Sequence, residues 1–359
     1  MITGNKGEWS EPYVLLKLLA DKKLFLGKEK FQKVENIFYP ILQIISSQKE
    51  NDISFTYEGN LIIINSNKRI EISIEKFLHF SKRCFQEIKS AKSKKGSFSL
   101  PEIEAFLNEF GITKIKEKSK VKNDITIQIQ DPKTFLSPTL GFSIKSQLGR
   151  PSTLVNASSH TNFTYCISKK LSQSQIQEIN SCKEFSQKFK KLNSFETEII
   201  FDKVDSSVFN INLQTIDSSF PSVISDLLLK YYCNDENSKN SIVELSKLIT
   251  EENKLNFDLD INPEIYEMMI KRFLLEYALG MRASEVWKRD YEASGGYLVV
   301  RDDGEILCYH FYFIKNFEDY LFQNTKLDTP SSSRYKMAEI YEDIDKQKFK
   351  LNLQVRFIK

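Results

Sequence analysis

The chain has 359 residues, 41% of them hydrophobic and 28% charged, with 27 Phe and 15 Tyr, enough apolar material for one elaborated domain or two average ones. With only 12 Gly and 9 Pro it is neither collagen-like nor of low complexity; no apolar run spans a bilayer, and Met1 to Trp9 lacks a signal core, so a cytoplasmic protein without membrane association is expected. The net charge of +3 conceals an asymmetry: residues 1–200 carry 31 basic and 21 acidic side chains, residues 201–359 carry 20 and 27, and the basic stretches Lys82–Lys95 and Lys114–Lys122 suit a polyphosphate partner.

Apolar spacing at Trp9, Tyr13, Leu16, Leu19 and Ala20 predicts a helix over Trp9–Lys23, with Pro12 in its first turn. A second helix is predicted over Glu29–Ser46. Strands follow at Ile53–Tyr57, Leu61–Asn65 and Arg69–Ile74, the first two joined by a turn at Glu58-Gly59-Asn60. Helices are expected from Ile74 towards Lys92 and from Ser99-Leu100-Pro101-Glu102 to Gly111. From Asp124 the pattern alternates, Ile125, Ile127 and Ile129 against Thr126, Gln128 and Gln130, which is a half-buried strand. Asp131-Pro132 breaks it, Leu140–Gln147 makes the next strand, and Gly149–Thr161 is a polar loop. Ile199–Gln214 reads as strand, Ser222–Thr250 as helix interrupted near Cys233–Asn240, and Glu264–Leu279 as a helix ended by Gly280. Strands at Gly295–Val300, Ile306–Phe313 and Phe349–Phe357 close an α+β chain with a mixed central sheet flanked by helices.

Five widely spaced cysteines and three histidines without H-x-x-x-H spacing exclude disulfide frameworks and zinc sites, so a divalent metal would be held by carboxylates, which points to Mg²⁺. If the strands after Asp124 and before Gln147 pair as a hairpin, Asp124 meets Lys145, and an acid beside a strand lysine suits phosphodiester hydrolysis in the PD-(D/E)-x-K pattern. Where that pattern has its second acid, two residues before the lysine, this chain has Ser143. The missing carboxylate is sought in Glu8 and Glu11, three apart on one helix face, or in Glu276. Gln147 shares the strand face of Lys145 and can hydrogen-bond the site or DNA.

The runs Lys6–Glu11, Gly141–Gly149 with Pro151–Leu154, Asn256–Pro263 and Lys326–Arg334 together resemble the HpaII family of type II restriction endonucleases, nearly end to end. The resemblance implies a restriction-endonuclease-like core, Mg²⁺-dependent cleavage of double-stranded DNA at C/CGG, and a cognate DNA methyltransferase as partner. Residues 1–120 are read as an N-terminal α/β region that contributes a helix near the active site and residues 121–359 as the nuclease core and recognition region, as separate domains or one continuous domain. DNA contacts are expected from Arg150, Ser152, Asn156 and His160 in the loop after the catalytic strand, and from Ser331, Ser332, Arg334 and Lys336. The oligomeric state is left open, with a homodimer one option. The rival reading is a nucleic-acid-binding protein whose nuclease site has degenerated at Ser143.

Overall fold

The computed structural model describes residues 1–48, 52–91, 96–115, 123–132, 134–233, 240–331, 337–344 and 346–358. In chain order the elements are α1 Lys6–Asp21, β1 Lys23–Gly27, β2 Lys33–Ser47, β3 Asp52–Glu58, β4 Leu61–Asn65, β5 Arg69–Ser73, α2 Ile74–Ser90, α3 Pro101–Asn108, β6 Ile125–Ile129 and β7 Thr139–Ser146. They continue with β8 Thr153–Val155, β9 Asn162–Ile167, α4 Gln173–Ser181, α5 Phe185–Ser194, β10 Ile199–Val204, α6 Ser207–Gln214, α7 Phe220–Cys233, α8 Ile242–Glu252 and α9 Ile265–Leu279. Last come β11 Gly296–Val300, β12 Ile306–His310, α10 Ile314–Gln323, β13 Thr325–Leu327, β14 Tyr341–Asp343, β15 Lys346–Asn352 and β16 Val355–Phe357.

Two compact units result, and both are discontinuous. The first holds residues 1–152, 291–320 and 359; the second holds 153–290 and 321–358. A boundary at residue 120 falls inside the first unit.

In the first unit a nine-stranded mixed sheet runs β1-β12-β11-β7-β6-β2-β3-β4-β5, and β1 pairs again with β2. That second pairing closes six strands into a barrel, where an open sheet flanked by helices was expected. The device is β2. Its first half pairs antiparallel with β1 (Lys23↔Pro40, Phe25↔Phe38), and its second half pairs with β6 and β3 (Ile44↔Ile127, Ile44↔Phe55). Register irregularities at Phe25/Gly27 and at Ile41/Gln43 bend the ladders enough to close the ring.

The helix predicted over Glu29–Ser46 is therefore strand. Pro40 would interrupt a helix interior, and the isoleucines at 37, 41, 44 and 45 favour an extended backbone whose buried residues are Tyr39, Ile41 and Ile44.

Helix α1 begins earlier than its apolar spacing suggests. Asn5 caps it by accepting from the backbone N–H groups of Gly7 and Glu8, while Glu8 Oε2 accepts from Asn5 N at 2.8 Å. Pro12 consequently lies inside the helix rather than in its first turn. The fully buried Trp9, Val14, Leu16 and Leu19 place α1 in one core with α2, α3 and the inner strand residues Ile44, Phe55, Ile127 and Phe142. Ser73 caps the first turn of α2, and α3 opens with Pro101 as expected but without the predicted side-chain cap, since its N-cap is Leu100.

The second unit contains the sheets β10-β9-β15-β14 and β13-β16-β8, packed with helices. Of the segment expected as strand over Ile199–Gln214, only β10 is extended. Ser206 caps α6 by accepting from Phe209 N, and Phe209, Asn212 and Leu213 form its buried face. The last predicted strand is two, β15 and β16, in different sheets. Gly280, with φ of 152°, ends α9 as predicted. Among the described residues no helix is long and apolar enough to cross a membrane.

Candidate active site

The antiparallel register Ile125↔Phe142 places Asp124 opposite Ser143, and Asp124 N donates to Phe142 O at 2.9 Å. On that register the three side chains form one hydrogen-bonded chain. Ser143 Oγ donates to Asp124 Oδ2 at 3.0 Å and accepts from Lys145 Nζ at 3.0 Å; Ile144 N also donates to Asp124 Oδ2, at 2.6 Å. Both contacts fall on Oδ2, which leaves Oδ1 available to ligate.

The strand on the other side of β7 supplies a residue that the sequence reading missed. β11 runs parallel to β7 with Tyr297↔Ser143 and Val299↔Lys145, and Lys145 Nζ lies over the Tyr297 ring, 4.8 Å from its centroid. The tyrosine is buried, which raises its hydroxyl pKa above the ordinary value, and the Asp124 carboxylate adds to the rise. No local motif marks Tyr297, because its pairing with β7 joins segments about 150 residues apart in sequence.

Burial lowers the Lys145 ammonium pKa from its ordinary value, and the carboxylates of Asp124 and Glu11 oppose that shift. Glu11 thus acts on the same ammonium as Asp124. It arrives on α1, which packs on β7. The Ser10 and Ser146 hydroxyls, 2.7 Å apart, join the two elements. Glu8, one turn earlier, closes the capping box of that helix. Glu276 belongs to the second unit, where its buried carboxylate accepts from Trp287 Nε1 at 2.8 Å.

Beyond β7, Gln147 N donates to Val300 O at 2.9 Å, so the strand pairing continues past Lys145. Arg150 is exposed and Ser152 half-buried in the first unit. Asn156 and His160 are exposed in the second unit, where β8 and a short 3-10 turn, Ser159–Thr161, order the segment read as loop. Ser331 is exposed; Ser332, Arg334 and Lys336 lie outside the described residues.

The oxygens at hand on β6 and β7 are Asp124 Oδ1 and the Ser143 hydroxyl, and α1, which packs on β7, carries the Glu11 carboxylate. Such a set fits Mg²⁺, which takes one or two carboxylates and completes its shell with water and phosphate oxygens. Among the described residues no group of three or more His, Cys, Asp or Glu side chains could hold a metal. A metal cage made of protein alone is thus absent from the described residues.

A profile of the HpaII restriction endonuclease family matches residues 5–357. The chain belongs to that family. It is 43% identical over 359 residues to the type II restriction enzyme HpaII of Haemophilus parainfluenzae, covering 99% of each chain. No solved structure matches it. Family membership therefore rests on sequence along the whole chain, and the Asp124–Ser143–Lys145 cluster is read from its own geometry.

Proposed function

We propose that this type II restriction endonuclease hydrolyses the phosphodiester backbone of double-stranded DNA with Asp124, Ser143 and Lys145, in a variant of the PD-(D/E)-x-K arrangement whose second acid is Glu11. The observation that carries the reading is the hydrogen-bonded chain from Asp124 through Ser143 to Lys145, beside which α1 brings a second carboxylate.

Asp124 and Glu11 would hold Mg²⁺, which when bound supplies Lewis-acid stabilisation of negative charge on the phosphate oxygens. Ser143 replaces a carboxylate with a neutral hydroxyl. It fixes the spacing between the Asp124 carboxylate and the Lys145 amine without adding charge. The Tyr297 ring and the Ser143 oxygen hold the Lys145 ammonium in a poorly solvated place, where its charge acts on the breaking phosphodiester with little screening. Gln147, on the same face of the chain two residues on, hydrogen-bonds the reacting group or the DNA.

Arg150, Ser152, Asn156, His160 and Ser331 are proposed DNA contacts. Membership of the family suggests C/CGG as the recognition sequence and a DNA methyltransferase as functional partner, with a homodimer one option for the working form. The test is incubation of the purified protein with plasmid DNA and Mg²⁺, with and without chelator. Discrete fragments that disappear with chelator are expected. Binding without any cleavage would overturn the proposal in favour of a degenerate site.

A further inference from the structure

Outside the candidate active site, the described residues commit two buried polar side chains to one short segment that has no regular structure. Residues 281–290 follow α9. Asn212 on α6 is fully buried, and its side chain is spent on this segment: Nδ2 donates to Arg282 O at 2.9 Å and Glu285 O at 2.8 Å, and Oδ1 accepts from Trp287 N at 2.9 Å. Glu276, 6% exposed, accepts from Trp287 Nε1 and lies 3.9 Å from Arg289 Nε. A Cβ at Gly280 would sit 3.1 Å from the Trp287 ring and from Asp290 O, so the segment is packed tightly against the end of α9.

Burying an amide and a carboxylate is unfavourable unless each is well partnered, and here both partnerships serve to hold the loop. What the loop exposes is Ser284, Glu285, Val286 at 56%, Lys288, Arg289 and Asp290. Arg289 adopts the left-handed region at φ of 62°, a conformation that costs a non-glycine residue energy and persists only where the surroundings enforce it. Arg289 also faces the buried Glu276 carboxylate, which helps to set its position on the loop. Between the acids Glu285 and Asp290, Lys288 and Arg289 on a loop held by buried side chains offer donors suited to the guanine edge in duplex DNA, which presents paired acceptors.

We infer that residues 281–290 form a DNA-reading loop, with Lys288 and Arg289 contacting base edges of the substrate and Asn212 and Glu276 as the residues that position it. The inference rests on the proposed endonuclease function. If the wild-type protein cuts no DNA in Mg²⁺, that function fails and not the loop. Where it cuts, binding in Ca²⁺ is measured to a duplex bearing the cleaved sequence and to a random duplex. Arg289→Ala and Lys288→Ala are expected to weaken binding to the cleaved sequence by roughly 5- to 150-fold and to leave random-duplex binding within about twofold. Asn212→Asp keeps an acceptor for Trp287 N but removes both donations to the loop carbonyls. It is expected to lower the ratio of specific to random binding while circular dichroism still reports a folded chain. Equal weakening on both duplexes, or none on either, would overturn the inference.

Discussion

At Lys145, burial and charge compete. Burial favours the neutral amine, while Asp124 and Glu11 favour the ammonium, and the balance leaves the pKa below its ordinary 10.5. If the ammonium is the working form, cleavage should fall as pH rises through that lowered pKa, earlier than an exposed lysine would allow. Ser143→Asp, which sets a carboxylate beside the amine, should move the falling limb to higher pH, and pH–rate profiles of the two proteins check it. Lys145→Ala should abolish cleavage while binding in Ca²⁺ stays within about tenfold, since the interaction removed is one made in the transition state. His310 offers a separate test in the same unit. It is 1% exposed, stacked on Tyr39, and its Nδ1 accepts from Tyr312 N; burial lowers its pKa from 6.5 to about 4, with Asp131 opposing the shift. Between those values the unfolded chain binds the proton and the folded chain does not. Stability is therefore full above pH 6.5 and is lost as pH falls towards 4, by about 3 kcal/mol. Urea denaturation at pH 7.5 and 4.5 should show a smaller pH effect in His310→Phe than in wild type.

Among elements, α1 separates two glutamates that the sequence could not tell apart. Glu8 is the third residue of a capped helix, where Gln closes a capping box as well as Glu. The Glu11 carboxylate raises the pKa of the Lys145 ammonium. Glu8→Gln should therefore keep activity and stability, whereas Glu11→Gln should abolish Mg²⁺-dependent cleavage with an unchanged Tm; cleavage assays and thermal melts on the pair decide it. Asn5→Ala, which removes the cap itself, should cost about 1 kcal/mol. The hairpin that joins Asp124 to Lys145 was legible because β6 alternates strictly and β7 follows a proline-bounded connection. β2 was not, since isoleucines at 37, 41, 44 and 45 also satisfy helical spacing, and only Pro40 argues locally against it. The place of Tyr297 beside β7, and the β1–β12 pairing in the barrel, join distant segments, which no local pattern encodes.

At the scale of the molecule, discontinuity of the units changes what the charge distribution means. Split at residue 200, the chain looks like a strongly basic half and an acidic half. The first unit takes residues 291–320 with their aspartates and glutamates, and so carries 28 basic against 23 acidic side chains; the second carries 23 against 25. Part of the basic excess is also neutralised locally. Arg83 is held by Glu87 and Glu102, while Lys82 and Lys89 remain exposed on α2. The other lysines of the two basic stretches, Lys92, Lys94, Lys95, Lys116, Lys118, Lys120 and Lys122, lie outside the described residues. Lysines like Lys82 and Lys89 meet only phosphates, which are the same in every sequence. Arg150 is different: it follows β7 directly, past Gly149, whose Cβ position lies 3.3 Å from Gly7 N at the start of α1. It is thus exposed on a short tether beside β7 and α1. Lys82→Gln and Lys89→Gln should weaken binding to cleaved and random sequences alike and flatten the salt slope by about one for each phosphate no longer neutralised. Arg150→Ala, if its guanidinium reads guanine, should cost roughly 1 to 3 kcal/mol on the cleaved sequence alone and leave the slope on random DNA unchanged. Titrations of both duplexes at several salt concentrations separate the two behaviours, and equal weakening on both would place Arg150 on the backbone with the lysines.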